Sequence, residues 1–102
     1  MAVIGNLNLV LKNGEKVSCV YVNNAQLTNK EFVNFLKSLY FALNEKSQSK
    51  ILSKLTVGRS EKASFTYNFD TNINKVLKLD CKFNPITRKF ARGKLLETFY
   101  IN

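Results

Sequence analysis

The densest chemistry-bearing stretch of this 102-residue chain is a run of bases: Lys75, Lys78, Lys82, Arg88, Lys89, Arg92 and Lys94 stand against one acid, Asp80, within twenty positions. Bases at that density contact phosphates or carboxylates. Arg88, Lys89 and Arg92 on a short helix, beside the outer face of a strand carrying Lys78 and Lys82, would assemble such a patch. The net charge is +9 and it is uneven, with eleven bases and four acids from residue 50 onward against five and three before it. The second half therefore carries the field, which favours encounter with polyanions or acidic proteins without specifying a fold. No paired stacking aromatics, helix-turn-helix spacing or zinc finger accompanies the bases, so base-specific reading has no support.

Other chemistry has less to stand on. The chain lacks His, a Gly-rich phosphate loop and a GxSxG elbow, and its seven acids, Glu15, Glu31, Glu45, Glu61, Asp70, Asp80 and Glu97, are scattered. General acid and base catalysis needs convergent groups, so the expectation is a protein that is not an enzyme. Cys19 and Cys81 lie 62 positions apart, and with no CxxC and no His the usual metal spacings are absent, so no metal or cofactor is expected. Both cysteines sit in strand-like runs, which suits two buried reduced thiols, and a disulfide between Cys19 and Cys81 is the alternative.

The elements that must position these residues follow from periodicity. Leu7, Leu9 and Leu11 alternate on one strand face, and Asn13-Gly14 supplies a tight hairpin turn. A three-residue bulged loop there sets Leu9 opposite Val17 and Leu7 opposite Cys19, giving a cleaner apolar face than a two-residue loop. Thr28-Asn29-Lys30-Glu31 is a capping box opening a helix to about Asn44. Its core arc is Phe32, Phe35, Leu36, Leu39, Tyr40 and Leu43, with Phe41 almost opposite, where a large aromatic is either an ordinary exposed residue or a contact for a partner or a second copy in a homodimer. Glu45 to Ser49 reads as a polar turn and Ile51 to Val57 as a third strand.

The pattern then repeats after Gly58-Arg59-Ser60-Glu61-Lys62. Phe65, Tyr67 and Phe69 alternate with polar residues, Asp70 to Asn74 is a turn, and Leu77, Leu79, Cys81 and Phe83 alternate against Lys78, Asp80 and Lys82. Asn84-Pro85 opens a second helix, Gly93 ends it, and Leu95 to Ile101 closes as a strand, the rival being one long helix from Pro85 to Tyr100, whose apolar residues would lie nearly all round it. The expected fold is one α+β domain of two strand-strand-helix-strand repeats, residues 1–58 and 59–102, mainly antiparallel, with a pseudo-two-fold axis and a groove where the halves meet. No apolar run approaches the ~20 residues of a membrane span, and the start Met1-Ala2-Val3-Ile4-Gly5-Asn6 lacks a signal-peptide layout, so an intracellular protein with no membrane partner is expected.

In length, doubled pattern and Lys- and Asn-rich, His-free composition, the chain resembles a small protein of the Acidianus filamentous virus, a lipothrixvirus of hyperthermophilic archaea. The resemblance covers most of the chain and carries no functional motif, so it transfers no site residue. It implies work in the host cytoplasm, and it strengthens the Cys19–Cys81 disulfide alternative, because intracellular hyperthermophile proteins are an exception to the reduced-thiol rule. The expected function is that of an interaction module binding a peptide or protein segment between the repeats. Nucleic-acid binding by Lys78, Lys82, Arg88, Lys89, Arg92 and Lys94 is the alternative.

Overall fold

The computed structural model describes residues 3–23, 29–91 and 93–101. Strands β1 (Val3–Val10) and β2 (Lys16–Asn23) form the first hairpin, with Leu9 opposite Val17 and Leu7 opposite Cys19, as the bulged loop requires. Gly14 stands at φ +86°, in the left-handed region that glycine occupies without strain, and its N–H donates to the Leu11 carbonyl. The hairpin register thus follows from one turn.

Helix α1 (Asn29–Phe41) buries Phe32, Phe35, Leu36 and Leu39. The capping Thr28 lies outside the described residues. The helix stops at Phe41, so Leu43, expected on the core arc, is 92% exposed. The next segment corrects the sequence reading: Glu45–Leu52 is helix α2, not a polar turn leading into a strand, and strand β3 is only Thr56–Val57. The signal was Asn44, whose side chain accepts the Ser47 N–H as an N-cap. Packing secures the helix through Gln48, fully buried, which accepts the Lys12 N–H at 2.9 Å and donates to the Leu39 carbonyl at 3.0 Å. Both ends of that carboxamide are satisfied, so its burial is tolerated.

Strands β4 (Phe65–Asp70) and β5 (Lys75–Asp80) make the second hairpin. The second helix expected after Asn84-Pro85 is absent: residues 82–91 fold into strands β6 (Lys82–Asn84) and β7 (Lys89–Ala91) around a four-residue turn. Asn84 holds that turn by accepting the Ile86 N–H on its side chain and the Arg88 N–H on its carbonyl. So short a segment recovers little from helical hydrogen bonds, whereas the hairpin sets the Phe83 and Phe90 rings 5.0 Å apart. Gly93 is needed for proximity, since a Cβ there would sit 2.0 Å from the Asp80 carbonyl oxygen. Strand β8 (Leu95–Tyr100) then pairs with β5, the closing strand that the sequence predicts.

The result is an α+β fold with two helices, both in the first half, and a mixed sheet in the order β3-β2-β1-β4-β5-β8. All pairings are antiparallel except β1 with β4, which run parallel. Leu7, Leu9, Cys19, Tyr21, Tyr67, Phe69 and Val76 occupy the face beneath the helices, where Phe32 stacks on Tyr21 at 4.4 Å and meets Tyr67 at 4.8 Å. One orientation reverses expectation. Val76 pairs with Phe69 and Lys78 with Tyr67, so Val76 and Lys78 share the helical face while Leu77 and Leu79 point the other way.

Leu39→Ala should cost roughly 2–5 kcal/mol, while Phe41→Ser, at a site 64% exposed, should stay within about 0.5 kcal/mol; thermal melts distinguish the two. Burial, reinforced by Tyr67, pushes the Tyr21 hydroxyl well above its ordinary 10.0. The fold keeps Tyr21 neutral where the unfolded chain ionises, so its contribution is full below about pH 10 and is lost as pH rises beyond it. Tyr21→Phe should therefore flatten the alkaline fall of melting temperature measured between about pH 9 and 11.

Candidate open-face groove

The crossover between the two parallel strands β1 and β4 places both helices over one side of the sheet, leaving the opposite side as the accessible surface. Its floor is polar by alternation: Asn6 and Asn8 stand between the core leucines of β1, and Thr66 and Asn68 between the core aromatics of β4. Strand register then lines these up. Ser18, Asn8 and Asn68 are successive cross-strand partners; the Ser18 hydroxyl donates to Asn8 Oδ1 at 2.8 Å, and Asn8 Nδ2 donates to Asn68 Oδ1 at 3.1 Å.

Over this row lies a groove of about 510 Å³ that straddles the β1–β4 seam, walled by Val10, Ile73 and Leu77 and flanked by Lys16, Asp70 and Lys75. Its size falls within the range of about 300–1,000 Å³ typical of ligand sites. A second cleft of about 440 Å³ continues from it, sharing Asn8, Asn68 and Leu77, and runs beneath the β6–β7 hairpin. Arg59 holds that hairpin down, its guanidinium 4.0 Å from the centroid of the Phe90 ring. Beneath, fully buried Asn6 accepts the Ser60 N–H at 2.7 Å, donates to the Ser60 carbonyl at 3.3 Å, and reaches Cys81 Sγ at 3.8 Å. Asn6 thereby fixes the linker between the halves against the sheet.

The basic residues are only partly brought together. Lys82 and Lys89 project from the same side of the hairpin, opposite Phe83 and Phe90, and exposed Arg88 closes its turn at φ +57°. Lys78 is elsewhere. It lies on the helical face with its ammonium 4.5 Å from the Phe65 ring and 5.8 Å from the Tyr67 ring, so it cannot join the outer-face patch expected of it. Lys94 is exposed just before β8, its backbone N–H given to the Asp80 carboxylate, and Arg92 lies outside the described residues. With no helix under Arg88 and Lys89, the patch as drawn from sequence does not form.

Phe41 and Leu43 end the helical layer, away from the groove. Cys19 and Cys81 are free thiols. They lie on opposite faces and three strand steps apart, about 14 Å at the usual strand spacing, where a disulfide needs Cα atoms within about 7 Å. Burial pushes the Cys19 thiol above its ordinary value. No group of three or more His, Cys, Asp or Glu placed to hold a metal occurs among the described residues, and no helix there is long and apolar enough to cross a membrane.

The sequence reading missed Asn6, Asn8, Ser18, Asn68 and Arg59. Their alternation with core residues was visible, but their convergence depends on which strands become neighbours. Comparison with protein-family models, with curated proteins and with solved structures finds no match to this chain.

Asn6→Ala should cost roughly 1–3 kcal/mol, because it leaves the Ser60 N–H without its partner, while Asn68→Ala, at an exposed position, should change stability by less than about 0.5 kcal/mol. Chemical denaturation of both variants gives the comparison.

Proposed function

We propose that the protein is a non-enzymatic interaction module that takes up an extended segment of a partner protein in the open-face groove. The observation that carries this reading is the uncovered groove along the seam of the two halves, floored by carboxamides and walled by aliphatic side chains. A carboxamide offers one donor group and one acceptor, matching the C=O and N–H of a peptide unit, so an asparagine row holds a main chain with little regard to its sequence. Val10, Ile73 and Leu77 supply apolar contacts for alternate side chains of such a segment. Each half is a hairpin with a third strand against the hairpin's second, and this shared order supports reading them as diverged repeats with the groove between them. On the lipothrixvirus likeness, the partner is a host protein met in the host cytoplasm.

Nucleic-acid binding is the competing reading, favoured by the grouping of Lys82, Arg88 and Lys89 on one exposed hairpin. Peptide display against the immobilised protein separates the two. Selected peptides should lose at least about tenfold in affinity against Asn68→Lys and Leu77→Lys and keep it against Lys82→Ala and Lys89→Ala. Affinity for single- or double-stranded nucleic acid that falls steeply with salt and disappears with the hairpin bases, in the absence of peptide capture, transfers the function to the hairpin.

A further inference from the structure

The two edges of the main sheet differ. At one end β3 is two residues long, whereas at the other β8 runs six residues, Leu95–Tyr100, with Leu95, Leu96 and Tyr100 each more than half exposed. Edge strands are ordinarily protected by brevity, proline, bulges or charge, because their outward N–H and C=O groups pair with any strand that arrives. Strand β8 has no proline or lysine, and its one charged residue is Glu97. An irregularity in its pairing with β5 lies at Lys78/Leu79, which leaves the stretch from Glu97 onward regular.

From this geometry we infer that β8 is a homodimer interface, two copies of the chain pairing β8 to β8 antiparallel about a two-fold axis at Thr98. The Ile101 N–H donates to the Asn74 carbonyl, so by antiparallel alternation Phe99 also bonds to β5, while Thr98 and Tyr100 turn their backbone groups outward. Self-pairing must match outward residues with outward residues. A Thr98-centred register does so and pairs all of the strand but Leu95, placing Leu96 of each copy beside Tyr100 of the other and covering two of the exposed apolar side chains. A two-fold interface of this kind is self-complementary by construction.

Charge selects the occupant. A protein of net charge +9 attracts acidic segments in general, yet a segment acidic along its length would set a carboxylate directly opposite Glu97, whereas self-pairing sets Phe99 there and leaves the two Glu97 side chains on the longer diagonal. A nearly neutral apolar strand fits better, and β8 is itself one. The like charge of the two bodies then opposes assembly at long range, so the dimer tightens as salt rises, opposite to the response of acidic-peptide or nucleic-acid binding.

Sedimentation equilibrium of the full chain tests this at low and high salt. The expected result is a dimer whose dissociation constant falls with added salt and rises at least about tenfold in both Thr98→Lys and Thr98→Pro. Proline at Thr98 removes an outward N–H and no bond to β5, and the lysine variant supplies the answer if the proline variant does not fold. Thr98 pairs with the groove residue Leu77, so the groove reading is tested on its own variants and the dimer by sedimentation alone. A chain that stays monomeric at millimolar concentration overturns the inference, as does a dimer indifferent to both Thr98 variants or one dissolved instead by Phe41→Ser.

Discussion

The parallel pairing of β1 with β4, from Gly5 opposite Phe65 to Val10 opposite Asp70, is the constraint on which the remaining architecture rests. Parallel neighbours cannot be joined by a tight turn, so the chain between them must leave the sheet and return. It does so through β2, α1, α2 and β3, and both helices of that excursion settle on one face. The helical face becomes the core around Tyr21, Phe32 and Tyr67. Among the described residues the opposite face receives the 58–62 linker over Asn6 and the short β6–β7 hairpin, pinned by Arg59 on Phe90, and keeps its groove.

Burial is divided accordingly. On the helical face, apolar contact dominates, and Gln48 is tolerated only because the Lys12 amide and the Leu39 carbonyl satisfy it. On the open face, asparagine performs two jobs. Asn6, sealed under the 58–62 linker, fastens the two halves together, whereas Asn8 and Asn68, one step along the same strands, form a polar row in the groove. The same residue type is sealed at one position and left in the groove at the next, the difference being whether the linker covers it.

Charge follows the fold less closely. The excess of bases in the second half scatters once the chain folds, because successive strand residues alternate between faces. Lys78 ends over aromatic rings on the helical side, while Lys82 and Lys89 extend from the hairpin. The β8 edge carries none of these bases, its one charged residue being Glu97.

Local chemistry alone determined the first hairpin with its register, the core arc of α1 as far as Tyr40, and the strands at Phe65–Asp70 and Leu95–Tyr100. These rest on turn residues and periodicities that act within a few positions. Three features required the tertiary structure. Leu77 and Lys78 alternate equally well in either sense, and only the pairing of Val76 with Phe69 decided which faces the core. Residues 82–91 carry a proline start and a glycine stop that suit a short helix, but the Phe83–Phe90 pair and the close approach of Gly93 to Asp80 made them a hairpin. Ser18, Asn8 and Asn68 form one hydrogen-bonded row because a parallel seam placed residues 60 positions apart side by side, and no local pattern encodes which strands will be neighbours.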